Sequence, residues 1–190
     1  MIPFKQSRSY RRFLQDEEIA DEQLKMMVEA ARLSPSARNI QPIKFFISND
    51  REMNASIFSN IGWAGYLKEW DGPVEGERPS AYIILLHDTS ISQGYSCDNG
   101  IFAQSILLQA VDLGFGGCMI ATFKKEEITN LLKLPNYLTP IMVIALGKPK
   151  EVVVIDDIKM GDVKYWRDSE NVHHVPKRSL DELIYIPEID

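Results

Sequence analysis

Two groups of residues in this chain carry chemistry that a packed core does not need. The first is the run Ser34-Pro35-Ser36-Ala37-Arg38-Asn39-Ile40-Gln41-Pro42, in which hydroxyls and amides lie between prolines that restrict the backbone. A turn of this composition can present several polar groups to a flat heteroaromatic ring. It also reads as an ordinary proline-bounded connection between two elements. The second group is cationic. Residues 1–12 contain Lys5, Arg8, Arg11 and Arg12 and no acidic residue, although the whole chain has a formal net charge of -6. Lys177 and Arg178 follow Pro176 near the other end, and the two basic groups could converge on one small anion. Alternatively, both are solvated faces.

The motifs that are missing narrow the chemistry. Gly114, Gly116 and Gly117 are followed by Met119 where a dinucleotide fingerprint needs glycine, and Gly147-Lys148 runs into Pro149, so neither is a nucleotide-binding loop. Ser96 is not in a nucleophile elbow, and no HExxH zinc motif occurs. Cys97 and Cys118 form no CxxC and do not join His87, His173 or His174 at metal-ligand spacing, which predicts two half-buried thiols and no metal site. No side chain is nominated as catalytic. Any hard chemistry is expected from a cofactor. The acidic total excludes non-specific nucleic-acid binding. The longest apolar runs, at 81–86 and 141–146, fall far short of the about 18 residues of a membrane span. The N-terminus lacks a signal-peptide core and is read as mature sequence, so a cytoplasmic location is expected.

The elements that must position these residues follow from periodicity. With 190 residues, 45% of them hydrophobic, the chain is long enough for one sizeable core without disulfides, and a single domain over 1–190 is expected. Asp21 is read as the cap of a helix whose Leu24, Met27, Val28 and Ala31 form one stripe. Alternation at Ile43, Phe45 and Ile47 predicts a strand over 43–48, followed by a helix at about 52–61. Residues 62–79, with Trp63, Tyr66, Trp70 and several Gly and Pro, predict an irregular excursion over the surface near a binding site. The run 82–86 predicts a strand buried on both faces. Asp98 is read as the cap of a helix to about 113, apolar around most of its circumference, with Gly114 as its C-terminal glycine. A strand or turn at 116–120, a helix at 125–132, a buried strand at 141–146 and an extended piece at 152–155 complete the pattern. Too few segments fit a strict βαβ repeat for a doubly wound sheet, so the fold class is α+β.

Taken together, Arg8-Ser9-x-Arg11, the Pro-Ser-x-x-Asn turn at 35–39, the helix and glycine-rich turn at 98–123 and Pro176-Lys177-Arg178 resemble the nitroreductase family of FMN-dependent oxidoreductases over nearly the whole chain. The resemblance implies a central, mostly antiparallel sheet flanked by helices, with extended terminal arms. It also implies a homodimer with FMN at the subunit interface. Arg8, Ser9 and Arg11, assisted by Lys177 and Arg178, would hold the FMN phosphate and ribityl oxygens. Pro35, Ser36, Ala37, Asn39 and Gln41 would lie along the flavin. Backbone N–H groups near Ala121 and Thr122 would face its N5 and O4. Many relatives carry a basic residue where Ser7 stands, and Glu-Gly or Gly-Gly where Ala121-Thr122 stands. The implied activity passes electrons from NAD(P)H through flavin N5 to an electron-poor acceptor such as a nitroaromatic or quinone. The alternative is a flavin-binding sensor or storage module without turnover.

Overall fold

The computed structural model describes residues 4–187. In chain order the elements are β1 (Phe13–Leu14), α1 (Asp21–Arg32), a 3-10 turn (Ala37–Asn39), β2 (Ile43–Ser48), α2 (Arg51–Phe58), β3 (Ala81–Asp88), α3 (Asp98–Asp112), β4 (Gly116–Ile120), α4 (Lys125–Leu131), β5 (Leu138–Pro149), β6 (Val153–Asp157), β7 (Trp166–Arg167), β8 (His173–Lys177) and α5 (Leu180–Leu183).

Strands β1 to β5 form a five-stranded sheet whose strand pairings are all antiparallel. Residues Val143 and Ile144 of β5 pair with both β3 and β4, so those strands occupy its two opposite edges. Every residue of β3 is buried. Its alternation divides the core in two: Ala81, Ile83 and Leu85 pack with Leu24, Met27, Phe102 and Ile106 under α1 and α3, whereas Tyr82, Ile84 and Leu86 pack with Ile57, Ile128 and Val143 on the face of α2 and α4. Each buried Ile or Leu of this strand contributes about 1.5–3 kcal/mol, which makes β3 the centre of the fold. The α+β class and the antiparallel sheet flanked by helices agree with the sequence reading.

Several local readings are corrected. Asp21 is the first helical residue of α1; the N-cap position belongs to Ala20, whose backbone N–H is received by the Gln23 side chain at 3.0 Å. Asp50, not predicted, caps α2 by accepting from Met53 N at 2.7 Å, and the helix ends at Phe58 rather than near 61. Asp98 does not cap its own helix, where the N-cap is Cys97; its carboxylate is used elsewhere, as described below. Strand β5 starts earlier than the apolar run suggests. Pro140, a residue that argues against a central strand, is accommodated at a register shift between Leu85 and Leu86. Of the two cysteines, Cys97 is exposed and Cys118 buried.

The C-terminal arm is a separate three-stranded sheet in which β8 pairs in parallel with β6 and antiparallel with β7. The sequence pattern shows only the β6 part of this arm, because β7 and β8 are too short and too polar for a hydrophobic period. Residues 62–79 contain no named helix or strand. They are nevertheless pinned: Tyr66 packs on Tyr165 at 4.9 Å, Trp63 meets Trp70 edge-on at 6.3 Å, and the Arg167 guanidinium lies 4.2 Å over the Trp70 ring. No described helix is long and apolar enough to cross a membrane.

Candidate functional site

The segment carrying Arg8, Ser9 and Arg11 runs alongside β4. Ser9 bridges to Gly117 in parallel, and Tyr10 N donates to Gly117 O at 3.0 Å. Gly116 makes this approach feasible, since a Cβ there would sit 2.5 Å from the Tyr10 ring, whereas one on Gly117 would meet the sheet and core instead, 2.4 Å from Ala145 O. The chain therefore passes close to the end of the sheet and delivers its basic residues there.

Strand β8 arrives at the same place from the far end of the sequence. Its alternate residues His173, Val175 and Lys177 share one face and, with Ser7, Arg8, Ser9, Arg11 and Tyr165, line a cavity of about 300 Å³. Among the described residues no carboxylate lines it. Arg8 Nη2 donates to Phe4 O at 2.8 Å, while Arg8 Nε is buried without a partner. Arg11 is only 9% exposed. Its Nη1 lies 3.0 Å from His173 Nε2 and 3.3 Å from Ser9 O, its guanidinium stacks 4.7 Å from the Tyr165 ring centroid, and its backbone N–H donates to the Glu151 carboxylate. Glu151 is engaged on its other oxygen by Arg167 at 2.9 Å. Among the described residues no carboxylate forms an ion pair with the Arg11 guanidinium. A nearly buried guanidinium that no described carboxylate pairs with directly is costly, and such a group favours an anion beside it.

Arg11 and Tyr165 also line a second cavity, of about 220 Å³, whose other walls are residues 62–65 and 118–122. The two cavities share this pair as lining, so the second is a cleft beside the cationic one. Ala121 and Thr122 lie just past β4, beyond the last ladder pair of Ile120 with Val143. The Thr122 carbonyl is held by Gly62 N at 2.8 Å. Burial raises the pKa of Cys118, which lines this cleft, despite the nearby Arg11; its thiol stays protonated at neutral pH.

The 35–41 turn is built separately. Asp98, 1% exposed, accepts from Ser36 Oγ at 2.6 Å and from Ala37 N at 2.9 Å, and Ser36 Oγ in turn accepts from Gln41 N at 2.9 Å. Gln41 Nε2 donates to the Asn39 side chain at 3.0 Å. Arg38, Asn39 and Gln41 have φ of 52°, 56° and 55°, a concentration of left-handed non-glycine residues that persists only where surrounding contacts enforce it. Ala37 lines a different cavity, with Arg38, Ile40, Pro42 and residues 92–96. Pro35, Asn39 and Gln41 are exposed.

One chain thus brings Arg8, Ser9, Arg11 and Lys177 together, with Ala121 and Thr122 on the adjoining wall. It does not bring the 35–41 turn to them. Arg178 also stays away from the cavity; it is exposed and 3.5 Å from Glu182. Sequence reasoning missed Tyr165 and His173. The alternation of His173, Val175 and Lys177 was the one signal for the latter.

Comparisons with known proteins place the chain among relatives. A family model described as "Nitroreductase family" matches residues 4–68 and 86–148. A protein of Methanothermobacter thermautotrophicus named "Putative NADH dehydrogenase/NAD(P)H nitroreductase" is 32% identical over 154 residues, covering 77% of this chain and 75% of its own. The "FMN reductase [NAD(P)H]" of Bacillus subtilis is 28% identical over 160 residues, covering 76% of this chain and 63% of its own. Among solved structures, an "FMN-dependent Nitroreductase" of Clostridium difficile R20291 superposes over 100% of both chains with a TM-score of 0.67 at 22% identity, a likeness of fold.

Proposed function

Since this chain belongs to the nitroreductase family, we propose that it is an FMN-dependent oxidoreductase that takes electrons from NAD(P)H and passes them to an electron-poor acceptor such as a nitroaromatic or a quinone. The observation that carries this reading is the cavity where Arg8, Ser9, Arg11 and Lys177 converge, with no carboxylate among the described residues that line it. Its donor set fits a phosphate dianion: guanidinium, ammonium and hydroxyl groups, with one buried Arg8 N–H still lacking an acceptor. The adjoining cavity gives a flat ring room beside β4.

The chemistry that bound FMN supplies is electron transfer at its N5, from NAD(P)H to the acceptor. The protein's own part is to bind, orient and shield. Arg8, Ser9, Arg11 and Lys177 would hold the phosphate. Backbone N–H groups at Ala121 and Thr122 would lie along the ring edge, a preorganised polar contact that needs no particular side chain. Trp63 and Tyr165, which line the inner cleft, would exclude water from one side of it.

The turn with Pro35, Ser36, Ala37, Asn39 and Gln41 would reach the flavin from a second copy of the chain. A homodimer is supported by that separation and by a run of exposed apolar residues at the C-terminal end: Leu180, Leu183, Ile184, Tyr185 and Ile186, each at least 53% exposed. We take 1–190 as a single domain acting in the cytoplasm, where NAD(P)H is available as reductant.

The test is the visible spectrum of the purified protein, with the cofactor released by heat and identified by mass. FMN released from a yellow protein, reduced in place by NAD(P)H and reoxidised by a model quinone, supports the enzyme. Reduction without reoxidation by any acceptor favours a sensor or store. A colourless protein that does not bind added FMN overturns both. Sedimentation analysis of the holoprotein tests the dimer.

A further inference from the structure

His173 lies outside the residues that the phosphate motifs account for. It is wholly buried and lines the same cavity as Arg8, Ser9 and Lys177. A guanidinium only donates hydrogen bonds, so at 3.0 Å from Arg11 Nη1 the imidazole must accept through Nε2. It is then neutral, with its proton on Nδ1. The surroundings enforce this state: burial, followed by the positive charges of Arg11 and Arg167, holds the imidazole down to about 4.

The pairing has a consequence for Arg11. With Nη1 committed to His173 and the Ser9 carbonyl, and the guanidinium plane stacked on Tyr165, the side chain is fixed, and its remaining N–H groups have no protein acceptor among the described residues. A second observation points the same way. His173 Nδ1 is itself buried without a partner, and a buried N–H in a cation-rich cavity is retained only at a cost unless an acceptor arrives with the ligand.

We propose that His173 is a positioning residue for phosphate recognition: it holds Arg11 in the orientation that makes the cavity prefer a phosphorylated flavin over the same flavin without its phosphate. This inference rests on the flavin-phosphate reading of the cavity. A neutral acceptor suits the task, because a carboxylate in its place would neutralise Arg11 and compete with the incoming anion.

The experiment compares FMN with riboflavin by fluorescence titration of the full-length, flavin-stripped chain. For His173→Leu the FMN dissociation constant is expected to rise about tenfold or more, with riboflavin affinity within about twofold of wild type. His173→Gln, which restores an acceptor near the Nε2 position, should recover most of the FMN affinity. His173→Asn, polar but too short to reach Arg11, should behave like His173→Leu and serves if the leucine variant does not fold. Unchanged FMN binding in His173→Leu or His173→Asn overturns the proposal. So does equal loss of FMN and riboflavin, which marks general damage. If wild type does not discriminate the two flavins and Arg8→Ala leaves FMN affinity unchanged, the phosphate reading itself has failed, and that result is distinct from a failure confined to His173.

Discussion

The Asp98 carboxylate at the start of α3 receives the Ser36 hydroxyl at 2.6 Å and the Ala37 amide at 2.9 Å. A buried acid on one helix thereby sets the shape of the turn that leaves another. Each bond is charge-assisted, and the acceptor is sheltered from water. Asp98→Ala should therefore cost about 2 kcal/mol or more, measured by urea denaturation. If the turn touches the flavin from a second subunit, the same variant should also weaken FMN retention in the holoprotein. Stability lost with FMN affinity intact would separate the turn from the site.

Lys177 and Arg178 are neighbours with different fates. Lys177 lines the cationic cavity, whereas Arg178 is turned to Glu182 at 3.5 Å on the surface. Lys177→Ala is expected to raise the FMN dissociation constant about tenfold or more, as for loss of one hydrogen bond to a charged group. Arg178→Ala should change it by less than about threefold. Fluorescence quenching of FMN by each variant checks this, and equal effects would place Arg178 in the site.

Gly117, to which Ser9 bridges, is a packing requirement of β4 against β5 and α3. An added Cβ would lie 2.4 Å from Ala145 O and 2.8 Å from Leu107 Cδ2, and neither a sheet backbone nor a core leucine yields readily. Gly117→Ala should destabilise the protein by about 1–3 kcal/mol, as overpacking does. Thermal denaturation provides the readout, and a melting temperature unchanged from wild type would contradict the close approach.

Glu77 supplies an acid-sensitive tie between the chain's front and its sheet. Its hydrogen bond from Arg12, with help from Lys150, holds the carboxyl down to about 2. A depressed carboxylate stabilises the fold above its unfolded value and loses that contribution as pH falls from about 4.5 towards 2. After allowance for solvent screening, Glu77→Gln should cost about 1–2 kcal/mol at neutral pH. The gap between variant and wild type should narrow as denaturation is repeated near pH 3. A gap that stays constant with pH would show that the ion pair contributes nothing.

Residues 62–79 should behave as a fixed wall. Trp70 is gripped by Trp63 and by the Arg167 guanidinium, contacts worth about 0.5–2 kcal/mol each. Trp70→Ala is expected to speed proteolytic nicking within this segment several-fold, with far-UV circular dichroism unchanged. Equal nicking rates would mean that the aromatic contacts do not restrain it.

The sequence by itself determined the core and the family. The stripe on α1, the alternation along β2 and the doubly buried run of β3 are one-dimensional records of burial, and they survive in spacing because each side of an element faces a constant environment. The cationic front and Lys177 were legible for a similar reason, since a local concentration of positive charge stands out in a chain whose total is acidic. Pairings across long separations were decided only by the tertiary structure. Asp98 and Ser36 stand 62 positions apart, and Arg11 and His173 stand 162 apart. Nothing in local spacing distinguishes an Asp that caps its own helix from one that reaches across to a turn, or a core histidine from one that orients an arginine. The outcome depends on which groups the packed sheet leaves within about 3 Å of each other, and that is settled when the arms fold back onto β4.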